Sequence, residues 1–394
     1  MVIRRGSGFL FLLAVALLAA GYVAGSRLGY VERLQARFFP RFQRPVKLSA
    51  GDFPAGVAAP VGELASVPLR STLIGFTPRG SSAALLLATG GVRSANLDPK
   101  ERSAEGLLKT AYSMDARAVV FAREDDLRRA LSAGAENGGV DLAAVSVDRL
   151  AHWWTALRDA APRTVLLMGR SHGQEALAAI GAQGVPDLRG KRMAAYSQSS
   201  SYYFALWVMS RAGLGVGEVK LVELGSTLDA GSALREGKAD AAAGLLADLE
   251  LAARDRGGKV LATTADAPHL VSTVLVARGE FAARYPGAVR RVLRGLLDAS
   301  ASVRRDPMEG ARLLGEVAPY LGDPFEAIRS APPADLKENL AFFGLSGESP
   351  VTYDELFQSA AALFAKIGRT GPVPAAEDTR DIGALRYVSE VRRQ

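Results

Sequence analysis

The chain contains no cysteine. That excludes disulfides, thiolate metal sites, thiol nucleophiles and a lipid anchor on an N-terminal cysteine. It leaves the compartment open, because an exported protein can fold without disulfides. Histidine is nearly as scarce. His152, His172 and His269 are the three in the chain, each far from the others in sequence. No His-x3-His spacing for a metal occurs, so no metal site, catalytic residue or cofactor is expected. An excess of positive charge is missing from most of the chain too. The first 50 residues hold eight Arg and Lys against one acid, Glu32, which accounts for the whole net charge of +7. The other 344 residues are formally neutral, so the pI of about 9.6 does not mark a nucleic-acid partner.

What is present starts at the N-terminus. Gly6 to Ser26 carries no charge, with Arg4 and Arg5 ahead of the apolar stretch Phe9 to Ala20. About 20 apolar residues span a bilayer as a helix. Residues 1–26 therefore read as a transmembrane anchor or as a signal segment cleaved near Ala24-Gly25-Ser26. The span length and the helix-compatible continuation to Phe39 favour the anchor. Five arginines follow it, which by the positive-inside rule argues against export of what comes after. Residues 27–66 form a basic arm and a Pro-, Gly- and Ala-containing linker.

Residues 186–242 carry the clearest pattern. Arg192 to Tyr196, Val219 to Leu224 and the stretch from Ala239 read as strands. Tyr202 to Ala212 and Leu228 to Glu236 read as helices between them. This βαβαβ order implies a parallel sheet with covered faces. Gln198-Ser199-Ser200-Ser201 sits where strand becomes helix. There, free N–H groups and the helix dipole meet hydroxyls. Serine also caps helices without any ligand, so one of these serines needs no further role.

A second such junction lies earlier. Leu69 to Ile74 reads as a strand that empties into Gly75-Phe76-Thr77-Pro78-Arg79-Gly80, ahead of an apolar helix from Ala83. No Gly-Lys-Ser/Thr follows, so this is not a P-loop. Arg79 reads as a solvated loop residue or as a ligand contact. An internal repeat links the two junctions. Ala130 to Gly134 leads to Val140-Asp141-Leu142-Ala143, and Ala233 to Gly237 leads to Ala239-Asp240-Ala241-Ala242. Two similar units suggest two lobes. The first unit places Ser146 at the strand end where open α/β sheets bind ligands. Asp141 and Asp240 read as acceptors for turn or backbone donors. Arg163 to Met168 is a strand, Gly169 to Gly173 a crossing between lobes, and Val271 to Ala277 a return crossing. Val289, Val292, Leu293, Leu296, Leu297 and Val303 form the buried stripe of a long helix. Trp153 and Trp154 are neighbours on a helix, so only one of them can face a ligand.

These elements together resemble one family. The segment Asp187-Leu188-Arg189-Gly190-Lys191-Arg192, the serine cluster with Tyr202-Tyr203, and Gly213-Leu214 carry the resemblance. So do Gly237-Lys238-Ala239-Asp240-Ala241, Phe281 to Pro286 and Arg305-Asp306-Pro307. They are similar to the substrate-binding proteins of nitrate/sulfonate/taurine-type ABC importers, and to the thiamine-pyrimidine synthase fold. The resemblance covers about residues 67–390 and implies a two-lobed α/β periplasmic-binding-protein type II fold, here behind an N-terminal transmembrane helix. Lobe 1 would comprise 67–170 plus 275–394, and lobe 2 171–274. It implies a monomer on the periplasmic face of the inner membrane. The monomer would capture a small polar or anionic ligand and deliver it to an ABC permease, with no chemistry of its own. By position, the ligand contacts would be Gly75, Phe76, Thr77, Ser146, Gln198, Ser199, Ser200, Ser201 and, after the Asp240 strand, Leu245. Arg79 joins them on its own chemistry. The acidic-proline-aromatic motif frequent in that last loop is absent, since the segment reads Gly244-Leu245-Leu246-Ala247-Asp248. The alternatives are a membrane-tethered sensor or scaffold, and a pyrimidine synthase-like enzyme.

Overall fold

The computed structural model describes residues 67–92 and 105–391. The expected anchor, basic arm and linker lie outside the described residues. Among the described residues, no helix is long and apolar enough to cross a membrane.

Among the described residues, ten strands form two five-stranded sheets of matching topology. The first contains β1 (Thr72–Phe76), β2 (Ala116–Val120), β3 (Leu142–Ser146), β4 (Arg163–Arg170) and β10 (Ser272–Ala277), in the order β2-β1-β3-β10-β4. The second contains β5 (Glu175–Ala179), β6 (Arg192–Ala195), β7 (Lys220–Glu223), β8 (Ala241–Leu245) and β9 (Lys259–Thr263), in the order β7-β6-β8-β5-β9. In each sheet the first three strands are parallel and the last two are joined antiparallel. The parallel sheet expected for 186–242 is therefore the parallel core of a mixed sheet. The chain passes from the first sheet to the second through residues 171–174 and returns through 264–271. Val271 to Ala277, expected to be the return crossing, is instead mostly β10, paired on both sides within the first sheet.

The first strand also begins later than the sequence pattern suggests. Leu69 is fully exposed, and pairing starts at Thr72. Arg70 turns aside to make a two-pronged bond to Asp141 (2.7 and 2.8 Å). Asp141 also accepts the N–H of Leu73 (3.0 Å). The second lobe repeats this device: Asp240 accepts the Arg192 N–H (3.0 Å) and its guanidinium (2.9 Å). In both lobes an acid ahead of the third strand ties down an arginine at the start of the first. The repeat helices end alike, at Gly134 and Gly237, with φ of 78° and 70° that a side chain would resist.

The core follows the two-residue period of a strand. Leu177, Ala179, Met193, Ala195, Ala241 and Ala243 face the helix Ser200–Arg211 and join the main core. Ala176, Ala178, Ala194 and Ala242 face the opposite way and form a second cluster with Ala230, Ala233, Leu234 and Leu249. Every residue of the expected stripe in the helix Pro286–Arg305 is buried. Packing continues between lobes where Tyr203 stacks on Phe364 of the helix Tyr353–Lys366, at 5.7 Å.

Candidate functional site

The two lobes meet at the strand-to-helix junctions that the sequence singles out. In the first lobe, β3 ends at Ser146 and the helix Val147–Leu157 follows at once. In the second, β6 is followed by Ser197, Gln198 and the helix Ser200–Arg211. Ser146 and Ser200 share a hydrogen bond of 2.7 Å between their hydroxyls. Trp153 Nε1 donates to Gln198 Oε1 (3.2 Å), and the Arg149 guanidinium donates to the Ser197 carbonyl (3.2 Å). Trp154 points elsewhere and meets Phe357 edge-on, so one of the two tryptophans faces the cleft.

Arg79 sits at the centre of this contact. Its side chain is only 12% exposed, so it is not a solvated loop arginine. It pairs with Glu175 of the other lobe and donates to the Ser200 hydroxyl (3.3 Å). Glu175 has no exposed side-chain surface. Its second oxygen accepts from the Ser171 hydroxyl and from Thr264 (3.3 Å). Sequence reasoning missed Glu175 altogether. It also missed Arg149, buried on Asp148 (2.7 Å) with its plane over Phe364 (4.9 Å).

Between these groups lies a cavity of about 10 Å³, lined by Thr77, Arg79, Glu124, Ser146, Arg149, Trp153 and Thr273 among others. That is room for about one water, and the residues that line it all belong to the first lobe. One guanidinium nitrogen of Arg149 and one oxygen of Asp148 are buried without partners. Burial raises the pKa of Glu124, with the Arg79 charge opposing. Farther out, Arg123, Arg128, His152, Trp153, Tyr196 and Gln198 line an open basin of about 450 Å³. The hydroxyl of Tyr196 is buried without a hydrogen-bond partner. Its ring lies under the Arg123 guanidinium at 5.8 Å.

The expected contacts divide accordingly. Thr77, Arg79 and Ser146 line the small cavity. Ser200 closes on Ser146, and Gln198 lines the basin. Ser199 is the helix cap: its hydroxyl accepts the Tyr202 N–H (3.2 Å) and donates to the Tyr196 carbonyl (2.7 Å). Ser201 is buried in the first turn. Phe76 is fully buried in β1, and Gly75 lies against Leu127, Phe121 and Val140. Leu245 caps the helix Leu246–Asp255 without lining either space. In this arrangement Gly75, Phe76, Ser199, Ser201 and Leu245 support the site rather than face its cavities.

Gly169-Arg170-Ser171-His172-Gly173 has the spacing of a serine nucleophile elbow, but the structure gives it another role. It runs from strand to strand between lobes, not from strand to helix. The Ser171 hydroxyl is engaged by Glu175 and Thr264, and no histidine bonds to it. Among the described residues, no group of His, Asp and Glu is arranged to hold a metal ion.

Comparison with known proteins gives the same fold. Residues 174–310 match the family model described as NMT1/THI5 like. The alkanesulfonate-binding protein SsuA of Xanthomonas axonopodis pv. citri, bound to MOPS, superposes with a TM-score of 0.60 at 20% identity. That match covers 80% of this chain and 99% of that one. The aliphatic sulphonate-binding SsuA of Escherichia coli gives 0.59 at 20% identity, over 79% and 98% of the two chains. The nitrate-binding NrtA of Synechocystis PCC 6803 gives 0.55 at 13% identity, over 83% and 88%. No curated protein sequence matches the chain significantly. The two-lobed periplasmic-binding-protein fold expected from the sequence is thus shared with solved structures.

Proposed function

We propose that this chain is an extracytoplasmic solute-binding protein. It captures a small polar ligand between its lobes and presents it to an ABC import permease. One observation carries this reading. Two sheets of the same topology, joined by two crossings, meet through hydrogen bonds between the strand-to-helix junctions of both, beside an open basin that residues of both lobes line. Such a hinge pair closes on a ligand and needs no reactive group. The sulfonate- and nitrate-binding proteins that share the fold support it. Both halves of the site come from one chain, so a monomer suffices. The apolar stretch before Ser26 would hold it at the membrane.

The test is thermal denaturation of the full-length protein with a panel of sulfonates, oxyanions, amino acids, pyrimidines and amines. A ligand that binds only the folded state raises the melting temperature as its concentration passes the Kd. A saturable rise with one class, weakened at least tenfold by Ser200→Ala, is the expected result. A folded protein that responds to none of them overturns the proposal and favours a tethered scaffold.

A further inference from the structure

Glu175 is an unusual residue to find where two lobes meet. It opens a strand otherwise made of Ala and Leu, and it is wholly buried. A buried carboxylate is costly unless it is paired and hydrogen-bonded. Here both oxygens are engaged, one by Arg79 of the opposite lobe, the other by Ser171 and Thr264. Its carboxylate therefore lies beside Arg79 and Ser200, where the sequence pattern alone would place the charge of an anionic ligand.

The charges around the cavity decide what can enter. Arg79 is matched by Glu175, and Arg149 by Asp148. Glu124 also lines the cavity and has no cation within ion-pair distance among the described residues. At Arg79 an incoming anion would find its place taken. To take Arg79 it would have to displace a tethered carboxylate, whose effective concentration is far above that of a free solute.

We infer that Glu175 is the specificity-determining residue of the cleft. It fills the anion position at Arg79 from within, so an anionic ligand is kept off Arg79 and Ser200. This inference rests on the solute-binding reading and names a contact that its ligand does not make.

The experiment is calorimetric titration of the full-length wild type and Glu175→Gln with sodium methanesulfonate, sodium nitrate, ethanolamine and cytosine. Glutamine keeps the size and most hydrogen bonds of Glu175 but frees the Arg79 charge. The expected result is methanesulfonate or nitrate bound at least tenfold more tightly by the variant than by the wild type. That gain should vanish in Arg79→Gln/Glu175→Gln. Should Glu175→Gln fail to fold, Glu175→Asp, which draws the carboxylate back from Arg79, is expected to show a smaller gain. Equal anion affinity in wild type and variant overturns the inference and leaves the solute-binding reading standing. A folded variant with no gain overturns it as well. A gain in the variant, with no ligand of any charge for the wild type, keeps the inference and removes the transport role.

Discussion

At the scale of single residues, His152 shows how the cleft tunes a titratable group without using it for chemistry. Its ring stacks on Phe364 at 4.5 Å, 9° from parallel, and Nδ1 faces the Arg149 guanidinium at 3.1 Å. An arginine only donates, so Nδ1 accepts and the imidazole is neutral. Burial first, and then the Arg149 charge, lower its pKa to about 3. The sign of the consequence follows. The unfolded chain binds this proton near pH 6.5 and the folded chain does not, so stability is lost as pH falls from 6.5 towards 3. His152→Gln removes that proton and should flatten the urea midpoint across this window relative to wild type. Parallel slopes for the two proteins would show that the ring is not held neutral. Asp141 and Asp240 were legible because each acts on a partner fixed by the repeat. Glu175 was not. Its partner Arg79 is 96 positions away, and an acid at the start of a strand is ordinary in sequence. Only the closing of one lobe on the other makes it central.

At the scale of elements, the serine run separates into structural and cleft roles that the sequence could not distinguish. Ser199 satisfies the first turn of its helix, and Ser200 reaches across to Ser146 and Arg79. Ser199→Ala should cost about 1 kcal/mol of stability, as the loss of a helix cap does, with ligand affinity within about twofold of wild type. Denaturant unfolding and the titrations above read both quantities. A tenfold loss of affinity with unchanged stability would reverse the assignment. The elements themselves were largely legible because period-two and period-3.6 patterns survive in the burial. The repeat helices, the three strands of 186–242 and the stripe of Pro286–Arg305 all stand close to where those patterns put them. The misses have a common cause. Leu69 is apolar and strand-like but finds no partner strand, whereas Val271 to Ala277, read as a crossing, finds one on each side, so strand bounds are set by the availability of a partner. That is a tertiary fact that local propensity does not contain.

At the scale of the whole molecule, the proposed function requires the lobes to part and close about the crossings at 171–174 and 264–271. The lobes are held together by polar contacts, beside a buried space for little more than a water and an open basin. A ligand held beneath those contacts can enter or leave only when they break. The absence of cysteine makes this directly testable. The hydroxyls of Ser146 and Ser200 lie 2.7 Å apart, one on each lobe. A disulfide needs an S–S bond of about 2.05 Å, so Ser146→Cys/Ser200→Cys places two thiols within bonding reach and adds no competing thiol. Oxidised in the closed state, this variant should exchange ligand at least a hundredfold more slowly than when reduced, in both loading and release. Reduction with dithiothreitol should restore the exchange. Replacing Ser200 costs affinity of its own, but that cost is present in both redox states and cancels from the ratio. Exchange that is equally fast in the oxidised, verified cross-linked protein would mean that ligand reaches its site without lobe separation. The open basin beside Trp153 and Tyr196, and not the buried floor, would then be where it binds.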